Sequence, residues 1–201
     1  MNEPAKGTKQ KIIHVAICLI RAKGYDQVTV NDICDGAGIS KNTFYYYFKS
    51  KEDVLATFKQ LPREVLADNL ADIIGAENHY EQYWLLMQPI IDFIESSGRE
   101  IVRQILISNL TKNDSPMHRY PRGEEYLKLE TKILQKGQAA GEIRNGSDPA
   151  QLVYITFNQI WGSALFWCTS TKNHCFADVA RYFIEGALDV APALRKSQQL
   201  F

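Results

Sequence analysis

The residues best suited to chemistry stand in one short run. Lys41, Asn42 and Thr43 follow Ser40, and Tyr45, Tyr46 and Tyr47 come one residue later. A lysine can donate to guanine O6 and N7, and an asparagine can pair in a bidentate way with adenine N6 and N7. Phenol hydroxyls can donate to phosphate oxygens, which fixes position without reading sequence. Successive helical residues turn by about 100°, so three tyrosines in a row cannot all be buried on one face. One or two must point outward, either as plain surface aromatics with polar tips or as phosphate contacts, and the second reading is the one that uses them.

Such a run needs a frame. The spacing of Ile12, Ile13, Ala16, Leu19 and Ile20 predicts a helix over 8–23, stopped at Gly24. Thr29 with Asp32 reads as a capping box opening a second helix. Gly38 supplies the positive φ of a tight turn, and Ala37 is small where two helices cross. Ser40 then caps a helix from Lys41 to about Phe48, and Ser50 with Asp53 opens a fourth. Ile33, Ala37, Ile39, Phe44 and Phe48 are spaced to pack two helices across that turn. This is a helix-turn-helix, whose second helix fits the major groove of duplex DNA. The helix starts at Thr29 and Ser50 also present N–H groups that attract anions, with Lys51 beside the second, although capping alone explains both.

Residues 8–55 resemble the DNA-binding domain of the TetR (tetracycline-repressor-like) family. The resemblance rests on the turn Ala37-Gly38-Ile39-Ser40, the run Thr43-Phe44-Tyr45-Tyr46-Tyr47-Phe48 and the restart Lys49-Ser50-Lys51-Glu52-Asp53. Gly36 departs from that pattern and is expected to loosen the end of the second helix. The resemblance implies an all-α fold: a three-helix head at 1–55, a connecting helix from near 51, and an effector-binding and dimerisation body at 56–201. It implies bases read by Lys41, Asn42 and Thr43, and phosphates held by Thr29, Tyr45, Tyr46, Tyr47 and Lys51, with Ser40 at the same helix start. It further implies a homodimer through the last two helices, about 149–190, and release from DNA on binding a small effector.

The rest of the chain reads as helices over 78–95, 99–110, 122–140, 149–168 and 174–190. Pro62 is expected to kink or end the fourth helix, and Pro116 and Pro121 bracket a loop. In 149–168, Val153, Phe157, Ile160, Trp161, Ala164, Leu165 and Cys168 share one broad side, while Tyr154, Ile155, Gly162, Phe166 and Trp167 occupy others. That is too much apolar surface for a monomer, and Ala177, Ala180, Gly186 and Ala187 would admit a close partner helix. Tyr80, Tyr83, Trp84, Met87, Phe93, Tyr126, Phe157 and Trp161 are each either ordinary core or the lining of an aromatic effector pocket. Arg103, His118 and Glu124 are candidates to meet a polar group on such a ligand.

Composition narrows the classes. The formal net charge is zero, but residues 1–60 carry nine Lys/Arg against six Asp/Glu, and 61–201 carry fourteen against seventeen. A basic head on an acidic body fits a DNA partner for the head. Cys18, Cys34, Cys168 and Cys175 form no CxxC pair, which points to a reduced cytoplasmic protein without metal or cofactor. Cys18, Cys34 and Cys168 lie in apolar runs, where a thiol is expected to be buried. His174 and Cys175 near Cys168 lack a fourth ligand for a metal site. Residues 149–171 hold no charged side chain, yet their polar residues argue against a membrane span. No Ser-His-Asp set, phosphate loop or HExxH run suggests an enzyme. The reading is a ligand-responsive repressor binding a palindromic operator as a dimer, released by a fairly apolar or aromatic effector. The alternative is a regulator of the same fold, an activator or one controlled by a protein partner.

Overall fold

The computed structural model describes residues 3–58, 71–112 and 123–197. The expectations at Pro62, Pro116, His118 and Pro121 lie outside the described residues. Among those described, the fold is all-α, with one isolated antiparallel bridge between Ile143 and Val190. The helices are α1 (Glu3–Lys23), α2 (Val30–Ala37), α3 (Lys41–Tyr47), α4 (Lys51–Phe58), α5 (His79–Ser97), α6 (Arg99–Lys112), α7 (Glu124–Ala139), α8 (Pro149–Thr169) and α9 (Phe176–Ala187). No helix among the described residues is long and apolar enough to cross a membrane.

Two compact units form, Met1–Leu61 with Ser97–Ser108, and Pro62–Ser96 with Asn109–Phe201. In the first, α1 buries Ile12, Ala16, Ile17 and Ile20 against α2 and α4. Helix α1 starts earlier than its apolar spacing predicts, at Glu3, because Pro4 sits in the first turn, where a missing N–H is no loss. Cys18 corrects an expectation: it is exposed, since the buried side of α1 is set by Ile12, Ala16 and Ile20, and position 18 is turned away from it. Cys34 and Cys168 are buried. The α6 segment joins this unit by burying Ile101, Val102 and Ile105. Arg21 Nε donates to Ser97 O at 3.0 Å, and the Tyr25 N–H reaches Glu100 Oε1 at 3.5 Å.

The second unit is built on α5, α7, α8 and α9, with α8 packed against both α7 and α9. The Glu142 carboxylate accepts from the His79 and Tyr80 N–H groups at 2.8 and 3.1 Å, which satisfies the start of α5 and places an anion at its positive end. Helix α9 is shorter than the expected 174–190. Asp189 reverses the chain at φ 46, and its carboxylate is held by Arg144 at 2.6 Å and Arg195 at 3.0 Å. Leu165, expected on one broad side with Val153 and Trp161, is exposed while those two are buried. Trp167 is buried with its Nε1 donating to His174 O at 2.8 Å, and Ala180 on α9 is fully buried. Helix α8 packs against both α7 and α9, so one stripe does not describe its burial.

The buried polar groups are mostly paired. Arg181 bridges Glu81 and Glu185 and lies over the rings of Tyr80 and Trp84. Glu185 also accepts from the N–H groups of Lys196 and Ser197 at 2.9 and 3.2 Å. Glu130 on α7 is 0 % exposed, and burial pushes its carboxyl up to about 9. An acid that stays protonated when folded but ionises when unfolded favours unfolding as pH rises. The group is neutral in both states below the ordinary carboxylate range, and the loss accumulates from there up to about pH 9. Glu130→Gln should therefore flatten the decline of stability between about pH 5 and 9, read from urea unfolding midpoints across that window. An unchanged slope would mean that Glu130 ionises freely in the folded protein.

Candidate nucleic-acid interface

The geometry begins at the α2–α3 turn. Gly38 takes φ 62, its N–H donates to Asp35 O at 3.2 Å, and the Ile39 N–H donates to Cys34 O at 3.0 Å. A side chain at Gly38 would strain this left-handed position. The expected loosening at Gly36 has another meaning in the structure. A Cβ there would stand 2.8 Å from Val15 Cγ1, so the bare backbone lets α1 come close to α2. Ala37 beside it is fully buried.

Helix α3 is seven residues long and starts at Ser40, whose Oγ accepts from the Thr43 N–H at 3.1 Å. Phe44 and Phe48 are buried and pack with ring centroids 6.0 Å apart. Burying each contributes about 1.5–3 kcal/mol. With those two rings inward, Lys41 and Asn42 stand in solvent and Thr43 is half-buried, its hydroxyl meeting that of Ser40 at 2.9 Å. Tyr45 is 55 % and Tyr46 80 % exposed, while Tyr47 is half-buried and meets the Tyr46 ring edge-on at 4.9 Å. Two phenols therefore face outward, as helical spacing requires.

The other two expected phosphate contacts are engaged inside the head. Thr29 and Asp32 close a full capping box: the Thr29 N–H donates to Asp32 Oδ2 at 2.8 Å, and the Asp32 N–H donates to Thr29 Oγ1 at 3.2 Å. The Thr29 hydroxyl also donates to Asp32 Oδ2, at 2.5 Å. These bonds from Thr29 hold the Asp32 carboxyl below its usual range. The start of α2 thus carries its own carboxylate. Lys51 is a clearer departure. Its ammonium donates to Tyr25 O at 2.9 Å and Val28 O at 3.1 Å, and sits 4.2 Å from the centre of the Tyr25 ring. The Tyr25 hydroxyl in turn donates to Glu52 Oε1 at 2.7 Å. Sequence spacing misses this cluster because it joins residues 26 and 27 positions apart. At the fourth helix, the expected second box is shifted: Asp53 accepts from the Lys49 N–H at 3.0 Å, while the Asp53 N–H reaches Ser50 Oγ at 3.4 Å.

The expected effector-pocket residues lie in the second unit. Tyr83, Trp84, Met87, Phe157 and Trp161 are buried, and Phe93 and Tyr126 half-buried. The Tyr83 hydroxyl meets Thr156 Oγ1, whose own hydrogen goes to the α8 carbonyls of Leu152 and Val153. Arg103 pairs with Glu100 at 2.5 Å, and Glu124 stands in the exposed first turn of α7. Among the described residues, no group of three or more His, Cys, Asp or Glu side chains could hold a metal.

Residues 12–57 match the family described as bacterial regulatory proteins, tetR family. The chain is 26 % identical over 179 residues to the fatty acid metabolism regulator protein of Bacillus subtilis, covering 87 % of this chain and 91 % of that one. It is 28 % identical over 165 residues to the HTH-type transcriptional repressor KstR2 of Mycolicibacterium smegmatis, covering 76 % and 75 %. Its fold is similar to that of the transcriptional regulator FadR from Bacillus subtilis, solved in complex with stearoyl-CoA. That match has a TM-score of 0.58 at 23 % identity and covers 89 % of this chain and 97 % of that one.

Lys51→Ala separates the inward arrangement from a phosphate contact. It leaves two carbonyls without their charged donor, so the head should lose about 1–3 kcal/mol in thermal unfolding. The slope of log affinity against log salt for DNA should stay unchanged, whereas loss of a phosphate contact would reduce it by about one.

Proposed function

We propose that this chain, which belongs to the TetR family of bacterial regulatory proteins through its head at residues 12–57, is a repressor that binds a palindromic operator as a homodimer and lets go when a small, fairly apolar or aromatic effector binds its body. The observation that carries the DNA half is the two-sidedness of α3. Phe44 and Phe48 are buried, while Lys41, Asn42, Tyr45 and Tyr46 stand in solvent. Lys41 and Asn42, with Thr43, then read base edges, and Tyr45 and Tyr46 donate to backbone phosphates. Ser40 and Thr29 act chiefly as caps, Tyr47 as an edge-on support for Tyr46, and Lys51 through the shape of the head.

The dimer half is supported by α8. Tyr154, Ile155 and Leu165 are exposed on it beside Gly162, and the ring of Phe166 meets Phe183 of α9 at 5.6 Å. An apolar strip continuing across two helices is suited to pairing with its own copy, since a two-fold axis matches the strip to itself. An apolar effector is favoured by the buried aromatic and aliphatic side chains of the body.

Three measurements test this reading. Lys41→Ala and Asn42→Ala should each cost about 1–3 kcal/mol in operator affinity and relax sequence preference at one position. Tyr46→Phe should weaken binding evenly across sequences. Unchanged operator affinity in the first two would remove α3 as the reading helix. Sedimentation at micromolar concentration should give a dimer, and Leu165→Glu with Tyr154→Glu should shift it to monomer; a monomeric wild-type chain would sink the dimer. Tight operator binding that no compound relieves would favour the regulator without a small-molecule ligand.

A further inference from the structure

Trp161 is 6 % exposed, and its indole Nε1 is buried without an acceptor among the described residues. Buried donors are almost always paired, because leaving one unmade costs its full desolvation. The neighbouring groups show the ordinary outcome. Trp167 on the same helix donates to His174 O at 2.8 Å, and the Tyr83 hydroxyl is taken by Thr156. His174 Nε2 is also buried without a partner, but a neutral histidine can carry a bare lone pair there. An indole nitrogen always keeps its proton.

The surroundings say what kind of acceptor suits it. Trp161 shares the buried side of α8 with Phe157, Ile160 and Ala164. Helix α8 packs against both α7 and α9, and these neighbours of Trp161 on it carry apolar side chains.

We propose that the Trp161 N–H is the polar anchor of the effector site in the body, and that the effector is an uncharged, largely apolar molecule presenting a carbonyl-type acceptor to it. The inference rests on the effector-responsive reading and names the ligand class of that site. An apolar framework takes up the buried surroundings, and one acceptor completes a donor left unmade among the described residues. A charged ligand would give up its hydration for these apolar side chains, which an uncharged one does not.

The test uses the full-length protein with nitrogen-15-labelled tryptophan. Trp84, Trp161 and Trp167 are its three tryptophans, and Trp161→Phe identifies the Trp161 indole signal by its loss. The probes are acetophenone and 2-nonanone as neutral acceptors, ethylbenzene as the shape match without an acceptor, and 1-phenylethylamine as the cation. The acceptors should move the Trp161 indole proton downfield while ethylbenzene does not. Trp161→Phe should weaken acetophenone roughly three- to ten-fold and leave ethylbenzene unchanged. No shift with either acceptor, or an equal shift with ethylbenzene, overturns the proposal. Binding of the amine as the cation, with no proton released in calorimetry in two buffers and in preference to the neutral acceptors, also overturns it. Operator binding is measured in parallel. A Trp161 shift without DNA release refutes the effector-responsive reading while leaving the site intact. DNA release by a compound that leaves the Trp161 signal unmoved does the reverse.

Discussion

A helix of seven residues cannot hold itself together in water, and the candidate DNA-facing surface is such a helix. Its presentation depends on burying Phe44 and Phe48 beneath it. That burial fixes the rotation of α3, and the rotation decides which side chains stand outside. Lys41 and Asn42 are exposed because Phe44 is buried. Tyr45 and Tyr46 are exposed for the same reason, and Tyr47 is drawn partly inward beside Phe48. The closeness of α1 to α2 serves the same end. Gly36 leaves room for Val15, and Ala37 and Gly38 let the chain turn within a few residues. A larger residue at any of these would act on the exposed side chains of α3 without touching them.

Charged residues of one type serve different ends according to what surrounds them. Lys41 ends in solvent at the start of α3, where its charge is available to an outside anion. Lys51 has two carbonyls and an aromatic face within reach, and its charge is directed at them. The body repeats this logic under deeper burial. Arg181 is surrounded by two carboxylates and two rings, whereas burial raises the carboxyl of Glu130.

The all-α class, the helix-turn-helix and the outward tyrosines were legible because each depends on residues a few positions apart. Capping at Thr29 and Ser40, the turn at Gly38 and the burial of Phe44 and Phe48 are of that kind. What was not legible depends on residues far apart in the chain. The role of Lys51 is set by carbonyls at Tyr25 and Val28. The α6 segment lies in the same unit as the head because Ile101, Val102 and Ile105 are buried there, and its spacing alone names no partner. Nothing in the spacing of α7 marks Glu130 as buried. Leu165 departs for a related reason: a helix packed against two others exposes it while burying Val153, Trp161 and Cys168 from the same broad side. Local rules therefore located the outward face of α3, while the interior of the body, where several helices converge, had to be seen folded. A buried donor such as the Trp161 N–H, unmet among the described residues, is visible only in the packed fold, because pairing is a property of the packed fold and not of any one segment.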